Sequence, residues 1–518
     1  MNLLDAWPPG AAGAALAIPL TWAVTALATP RQLGRAGVVA AALAVAVCLG
    51  QALAPGAAAS GVKLDVVACA MLALVATLGA IVARFATTYL QGDPGLARHL
   101  RWLGLTLAAV TTLVVADNLA VMAVAWTATS LALHQLLTFH RDRPAALVAA
   151  HKKFLVSRLA DASLLGCLAL VHREVGSFDL DQIAAWAGTH PGLTPAMHAA
   201  AVLLVVAVAL RAAQLPFHGW LTQVMEAPTP VSALLHAGIV NIGGYVLIRV
   251  APWVGAADIA RLLLVGVGLA SVVVAALVMT TRVSAKVTLA WSTCAQMGFL
   301  LVQCGLGLWH LALLHLVAHS LYKAHAFLRA GSTVAGWRQR SVTQRAPARR
   351  GRSVALVVGV GAVVGAVAAC AVVDAAATEA LAIAVMAALV SLSMVPLLDH
   401  GDASARSAVV AGARASVVAL LYVGAHAAAA RLVPAPAAAP HLLAWALVGA
   451  AFVGLFAVKA TLLAQPRGRL AQALYPWLAA GCYLDARFTR LLFRWWPPRL
   501  PRPRAPVSPF AVTAEARS

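Results

Sequence analysis

The chain has 518 residues, 62% of them hydrophobic and only 11% charged, with 38 Lys and Arg against 17 Asp and Glu for a formal net charge of +21. A soluble protein of this size cannot hide so much apolar surface, so a soluble enzyme is excluded. The positive charge is spread between apolar stretches instead of gathered on one polar domain, so nucleic acid is excluded as a partner and membrane lipid takes its place.

About fifteen apolar stretches recur along the chain, most near the roughly 20 residues that carry a helix across a hydrocarbon core. They are 10–29, 37–54, 65–83, 102–116, 118–139, 154–172, 195–213, 229–250, 258–280, 287–304, 308–329, 353–373, 378–398, 408–430 and 442–463. The fourth is short, which sets the expected count at about 13–15 spans. Their apolar character is continuous and not alternating, so a barrel is excluded and the expected fold is an all-α polytopic transmembrane helix bundle. The first stretch follows Asp5 and not a basic segment, so it reads as a span and not a signal peptide.

Lys and Arg fall in every second loop, at Arg31/Arg35, Arg84/Arg98/Arg101, Arg141/Arg143/Lys152/Lys153, Arg282/Lys286, Arg338 to Arg352 and Arg467 onward. Lys63 and Arg173 are exceptions. The positive-inside rule predicts an inner-membrane protein with a periplasmic N-terminus and a cytoplasmic C-terminus. The expected divisions are N-terminal helices over 1–100, a polar-rich core over 101–332, a basic cytoplasmic loop over 333–352, C-terminal helices over 353–465 and a basic tail over 466–518. The Arg, Pro and Trp of 494–506 read as a membrane-surface segment. Seven cysteines are scattered without C-x-x-C spacing, so no disulfide framework, metal site or cofactor is expected in this chain.

An Arg, Lys or Asp at a helix centre inside a bilayer costs roughly 2.5–3.5 kcal/mol, so intramembrane polar residues call for a reason. In 308–329, His315, His319 and Lys323 are spaced i, i+4, i+8 and form one stripe, with His325 on another side. Such a stripe suits a proton relay; buried histidines bonded to carbonyls are the bland alternative. A second constellation runs from Arg211 to Arg249. There Pro216 and the triplet Pro228-Thr229-Pro230 predict broken helices, around which lie Arg211, Glu226 and His236. A third group comprises Asp117, Asn118, Lys152, Lys153, Arg158 and Asp161, in which Arg158 and Asp161 can simply pair with each other.

The strings ADNLAVMAVAW (116–126), HKKFLVSRLADA (151–162), RAAQLPFHGWLTQVMEAPTPVSALLHAGIVNIGGYVLIR (211–249), RVSAKVTLAWSTCAQMGF (282–299) and LVAHSLYKAHAFLRAGS (316–332) resemble the antiporter-like subunits of respiratory complex I and Mrp antiporters. The resemblance implies a proton- or sodium-conducting bundle with two discontinuous helices. By position it marks His236, His315, His319 and Lys323 for ion conduction, with Arg211 where a lysine often precedes A-Q-L-P. Glu226, Lys153 and Asp117, the last at an outer mouth, complete the candidate set. One departure stands out: complex I subunits usually read Gly-Trp-Glu where this chain reads Ala125-Trp126-Thr127, and threonine cannot titrate.

With AWTATSLALHQLLTFHRDRPAA (125–146) and LYKAHAFL (321–328), the chain is similar to the DabB family, membrane subunits of two-component inorganic carbon transporters. That similarity implies a soluble DabA-type partner holding a zinc site of the carbonic-anhydrase kind, and a membrane subunit that conducts H⁺ or Na⁺ to drive it. The chain itself is then a transporter subunit and not an enzyme. The alternative is an ion-translocating subunit of a complex I or Mrp-type assembly.

Overall fold

The computed structural model describes residues 10–53, 61–332 and 442–500 apart from residue 499, with scattered positions between 413 and 431. The expected loop at 333–352 and spans at 353–373 and 378–398 lie outside the described residues, as does most of 408–430. Among the described residues the secondary structure is helical, with only two isolated bridges, Val62 to Ala116 and Asn118 to Asp179, at one end of the bundle.

The helices run α1 (Gly10–Ala28), α2 (Leu33–Leu53), α3 (Val66–Tyr89), α4 (Leu96–Val115), α5 (Leu119–Leu137), α6 (Pro144–Val175), α7 (Leu180–Thr189), α8 (Pro195–Arg211), α9 (Gly219–Gln223), α10 (Thr229–Ala237), α11 (Ile242–Arg249), α12 (Ala251–Val254), α13 (Asp258–Val278), α14 (Ala285–Gly305) and α15 (Trp309–Leu328). After the undescribed stretch come α16 (Leu442–Ala464), α17 (Arg469–Ala479) and α18 (Leu484–Trp495). Among the described residues, eight segments are long and apolar enough to span a membrane, the broken pair Thr229–Arg249 among them. α4 and α15 reach 20 residues but carry more polar side chains.

The apolar runs form helices because a backbone in lipid must satisfy its own hydrogen bonds. Short polar residues set several starts: Asp65 accepts from the Ala68 amide, Asn118 from Ala120 and Val121, and Thr194 from Met197 ahead of Pro195. Small residues then let helices meet closely. A Cβ on Gly268 of α13 would lie 2.5 Å from the Gly298 carbonyl oxygen of α14, so only glycine permits this crossing.

Two breaks interrupt the bundle, the first where the prolines predict it and the second inside the apolar run 229–250. α8 ends at Arg211, Ala213 adopts a left-handed φ of 52°, and Pro216 offers no donor to continue the helix. The segment from α10 to α11 breaks again at Gly238, whose ψ of −65° comes with a φ of −128°. Asn241 repairs that second break: its Nδ2 donates to the Ala237 carbonyl at 3.0 Å and to Ser320 Oγ of α15 at 2.7 Å.

The two ends of the bundle differ in charge. At one, Lys63 pairs with Asp181 and lies 3.7 Å from Asp117, and Arg249 pairs with Asp65. At the other sit Arg143, Lys152, Arg282 and the segment 219–226 that follows the first break, and there α17 and α18 fold back against the bundle.

Candidate functional site

Between α10, α14 and α15 the structure brings together four of the expected residues. His315 Nδ1 is 2.8 Å from Gln303 Oε1, and its ring centroid is 5.9 Å from that of His319. The His319 imidazole meets the main chain of His236. His236, fully buried, stacks on Phe327 at 4.3 Å and places Nδ1 3.1 Å from Thr293 Oγ1. The Thr293 hydroxyl donates to the Leu289 carbonyl at 3.0 Å, so it accepts from His236, which assigns the proton to Nδ1. Lys323, also fully buried, donates to the same Leu289 carbonyl at 3.0 Å. One carbonyl therefore links the lysine to the histidine. The Nε2 atoms of His236, His315 and His319 are buried without a partner among the described residues, which leaves three lone pairs open to a proton or a water. His325 is exposed, as its place off the stripe requires.

A second cluster joins α5, α6 and α8. Asp161 pairs with Arg158 at 2.7 Å, the pairing anticipated from their spacing, but it also pairs with Arg211 of α8 and accepts a hydrogen bond from Thr127 Oγ1 at 3.0 Å. Arg211 reaches Thr127 Oγ1 at 3.3 Å and lies over the Trp126 ring, 4.6 Å from its centroid. The carboxylate that position 127 does not supply is thus supplied one helix away, by Asp161. Lys153 is buried in the same region and donates to the carbonyl and hydroxyl oxygens of Ser130 at 2.5 and 2.8 Å.

The two clusters are connected through the first break. Gln214, fully buried just after Arg211, donates to the Ala212 carbonyl at 2.8 Å and leans on the Cys294 carbonyl, next to Thr293. Its Oε1 is buried and unpartnered. A row of buried polar groups therefore runs from Lys153 and Arg211 through Gln214 to His236, His319 and His315.

Two candidates lie apart from this row. Glu226 sits at the surface on Arg143, 2.8 Å away. Asp117 lies at the opposite end, between α4 and α5, where burial and then the neighbouring Asp181 and Asp179 push its carboxyl up against the pull of Lys63. Gln303, Thr293, Thr127 and Gln214 carry the geometry but leave no trace in the sequence as acid–base groups, since amides and hydroxyls recur throughout apolar helices. Asp161 did leave one: it is an acid inside a continuous apolar run.

Broken helices around buried lysine, histidine and arginine are the features of an antiporter-like membrane subunit. Residues 116–350 match the family model of the NADH:quinone oxidoreductase/Mrp antiporter transmembrane domain. The fold is similar to the Mrp complex from Dietzia sp. DQ12-45-1b, with a TM-score of 0.56 over 97% of this chain and 59% of that one at 24% identity. The chain is 38% identical over 458 residues to the probable inorganic carbon transporter subunit DabB2 of Halothiobacillus neapolitanus, covering 85% of this chain and 81% of that protein. It is 51% identical over 265 residues to the probable inorganic carbon transporter subunit DabB of Hydrogenovibrio crunogenus, spanning about half of each. NADH-quinone oxidoreductase subunit L of Mycobacterium tuberculosis follows at 32% identity over 277 residues, 53% of this chain and 43% of that protein. The chain belongs to the DabB family of inorganic carbon transporter subunits, within the antiporter-like membrane proteins.

Proposed function

We propose that this chain conducts H⁺ or Na⁺ through the buried row from Lys153 to His315 and so drives inorganic carbon accumulation by a soluble zinc-containing partner of the DabA type. The observation that carries the reading is the Leu289 carbonyl shared by Lys323 and Thr293–His236, next to three unpartnered imidazole nitrogens. Buried ionisable groups of this kind are costly in lipid and are retained where charge moves. Under this reading Lys153, Lys323 and the histidines carry the ion. Arg211 is always charged and serves as a fixed field beside Lys153. Asp117 stands at the outer mouth.

In the same reading the basic end faces the cytoplasm of an inner-membrane protein, with the N-terminus outside, and offers the docking surface for the soluble partner. One charge falling through about 100 mV releases about 2.3 kcal/mol, which biases a carbon dioxide hydration equilibrium roughly fifty-fold.

Growth of a carbonic-anhydrase-deficient bacterium at ambient carbon dioxide, expressing this chain with its soluble partner, is the test. Rescue is expected for the wild-type pair and lost with Lys323→Ala or an uncoupler. Rescue that survives both perturbations overturns the ion-driven reading.

A further inference from the structure

The helical arm formed by α17 and α18 packs across the basic end of the bundle, near Lys152 and the first break. Arg282, after α13, donates to the Leu478 and Ala479 carbonyls at 2.7 and 2.9 Å, and Thr281 reaches the Leu478 carbonyl at 3.3 Å. Beyond that clamp Cys482 and Tyr483 take left-handed φ values of 54° and 56° and turn the chain sharply into α18. Phe488 then meets Phe217 of the first break, ring centroids 5.1 Å apart, and His151 Nε2 lies 3.0 Å from the Trp496 carbonyl.

Between these fastenings lies Asp485. Both its carboxylate oxygens receive Lys152 Nζ, at 3.0 and 2.9 Å, and Gln223 of α9 donates to it at 2.7 Å. The side chain of Lys152 is only 3% exposed and that of Asp485 22%, so this carboxylate touches solvent on one side and a buried ammonium on the other. Lys152 precedes Lys153, the residue that opens the buried row. At Gly219 a Cβ would lie 1.5 Å from Asp485 Oδ1, so the broken-helix loop leaves a notch that the carboxylate fills.

We propose that Asp485 is a working residue of the ion path, the exchange group at its basic end, whose carboxylate takes a proton from the Lys152 ammonium and releases it to water, or carries one the other way. This rests on the conduction reading above. The charge matters because a neutral fastening would be met by Arg282 and the Phe217–Phe488 contact alone. A carboxylate facing both media can take up a proton arriving from either side.

The test is H⁺ or Na⁺ flux into inside-out vesicles carrying the full chain, with Asp485→Asn, Asp485→Glu, Lys152→Gln, the Asp485→Asn/Lys152→Gln pair and Lys323→Ala. Arm docking is read separately by the rate at which an impermeant maleimide labels the half-buried Cys482. Asp485→Asn is expected to lower flux at least about ten-fold and Asp485→Glu to retain it. The Asn/Gln pair, which keeps hydrogen bonds without charges, is expected to stay low while Cys482 labels as slowly as in the wild type. Flux restored by that pair, or every low-flux variant labelling Cys482 faster, reduces Asp485 to a fastener and overturns the proposal. If Asp485→Asn leaves flux intact while Lys323→Ala abolishes it, the proposal fails and the conduction reading stands. Flux that Lys323→Ala leaves unchanged overturns both.

Discussion

Replacing Asp161 by Asn isolates the energetics of the arginine cluster. The side chain of Arg211 is 6% exposed and that of Asp161 14%, whereas Arg158 is 34% exposed and can turn toward polar surroundings. Removing the carboxylate thus strands one buried charge, Arg211, and not two. Losing one partner of a buried pair costs about 3–5 kcal/mol, and the partial exposure of Asp161 and the retained Trp126 face set the expectation near the lower bound, about 3 kcal/mol. Asn keeps the size and still accepts from Thr127 Oγ1, so little of that loss is packing. The assay is equilibrium unfolding of the purified chain in mixed micelles titrated with denaturing detergent. Asp161→Asn combined with Arg211→Gln removes both charges and is expected within about 1 kcal/mol of the wild type. A single-variant loss below about 1 kcal/mol, or a double variant no better than Asp161→Asn, refutes the assignment of Asp161 as the counter-charge of Arg211.

Moving the carboxylate tests whether its position or only its presence matters. Thr127→Glu with Asp161→Asn is expected to recover the yield of monodisperse protein and the vesicle flux that Asp161→Asn alone loses. Failure of the pair on both measures refutes the equivalence of the two sites. At the other end, the raised Asp117 carboxyl makes a signed prediction. Its proton is held more tightly in the folded than in the unfolded chain, so ionising it destabilises the fold. That penalty is full above the folded pKa, shrinks as the pH falls through it and is gone below the pKa of the unfolded chain. Asp117→Asn is therefore expected to melt above the wild type at pH 8, with the gap closing as the pH is lowered through the carboxylate range; a gap independent of pH refutes it.

Much of the fold was legible because lipid leaves the chain few options. The apolar runs at 258–280 and 287–304 became α13 and α14 within a few residues, and Pro216 and Pro228 marked the first break where it occurs. The break at Gly238 fell inside the run 229–250 without a proline to announce it, since a glycine in an apolar helix is equally a close-packing device. α6 began at Pro144, ten residues ahead of the expected 154, because His151, Lys152 and Lys153 lower the hydropathy of its first turns although they are helical. The stripe of His315, His319 and Lys323 was legible from its period. Its partners were not, because pairing across helices depends on which faces meet: Asp161 reads as the i, i+3 partner of Arg158 until α8 brings Arg211 against it. Asp485 lies more than three hundred residues from Lys152, and nothing local in α18 points to that contact.

The two clusters differ in a way that bears on how a row of this kind can work. In the α10–α14–α15 cluster the polar groups are lysine and histidine, which exchange protons readily, held by neutral acceptors such as the Leu289 carbonyl and Gln303 Oε1. In the α5–α6–α8 cluster two arginines share one carboxylate, and arginine does not give up its proton. The second cluster therefore carries a standing positive charge whose reach depends on where Asp161 sits. A carboxylate drawn toward Arg211 shields Lys153 from that charge, and one drawn toward Arg158 exposes Lys153 to it, through distances of a few ångströms at which an interaction changes by kilocalories in a low-dielectric interior. Under the proposed conduction, the control of Lys153 rests on the geometry of Asp161 and the carriage of the ion on the histidines and Lys323. A single glutamate at position 127 would place the counter-charge on α5, whereas Asp161 places it on α6, so that any shift of α6 against α8 is felt directly as a change in the field at Lys153.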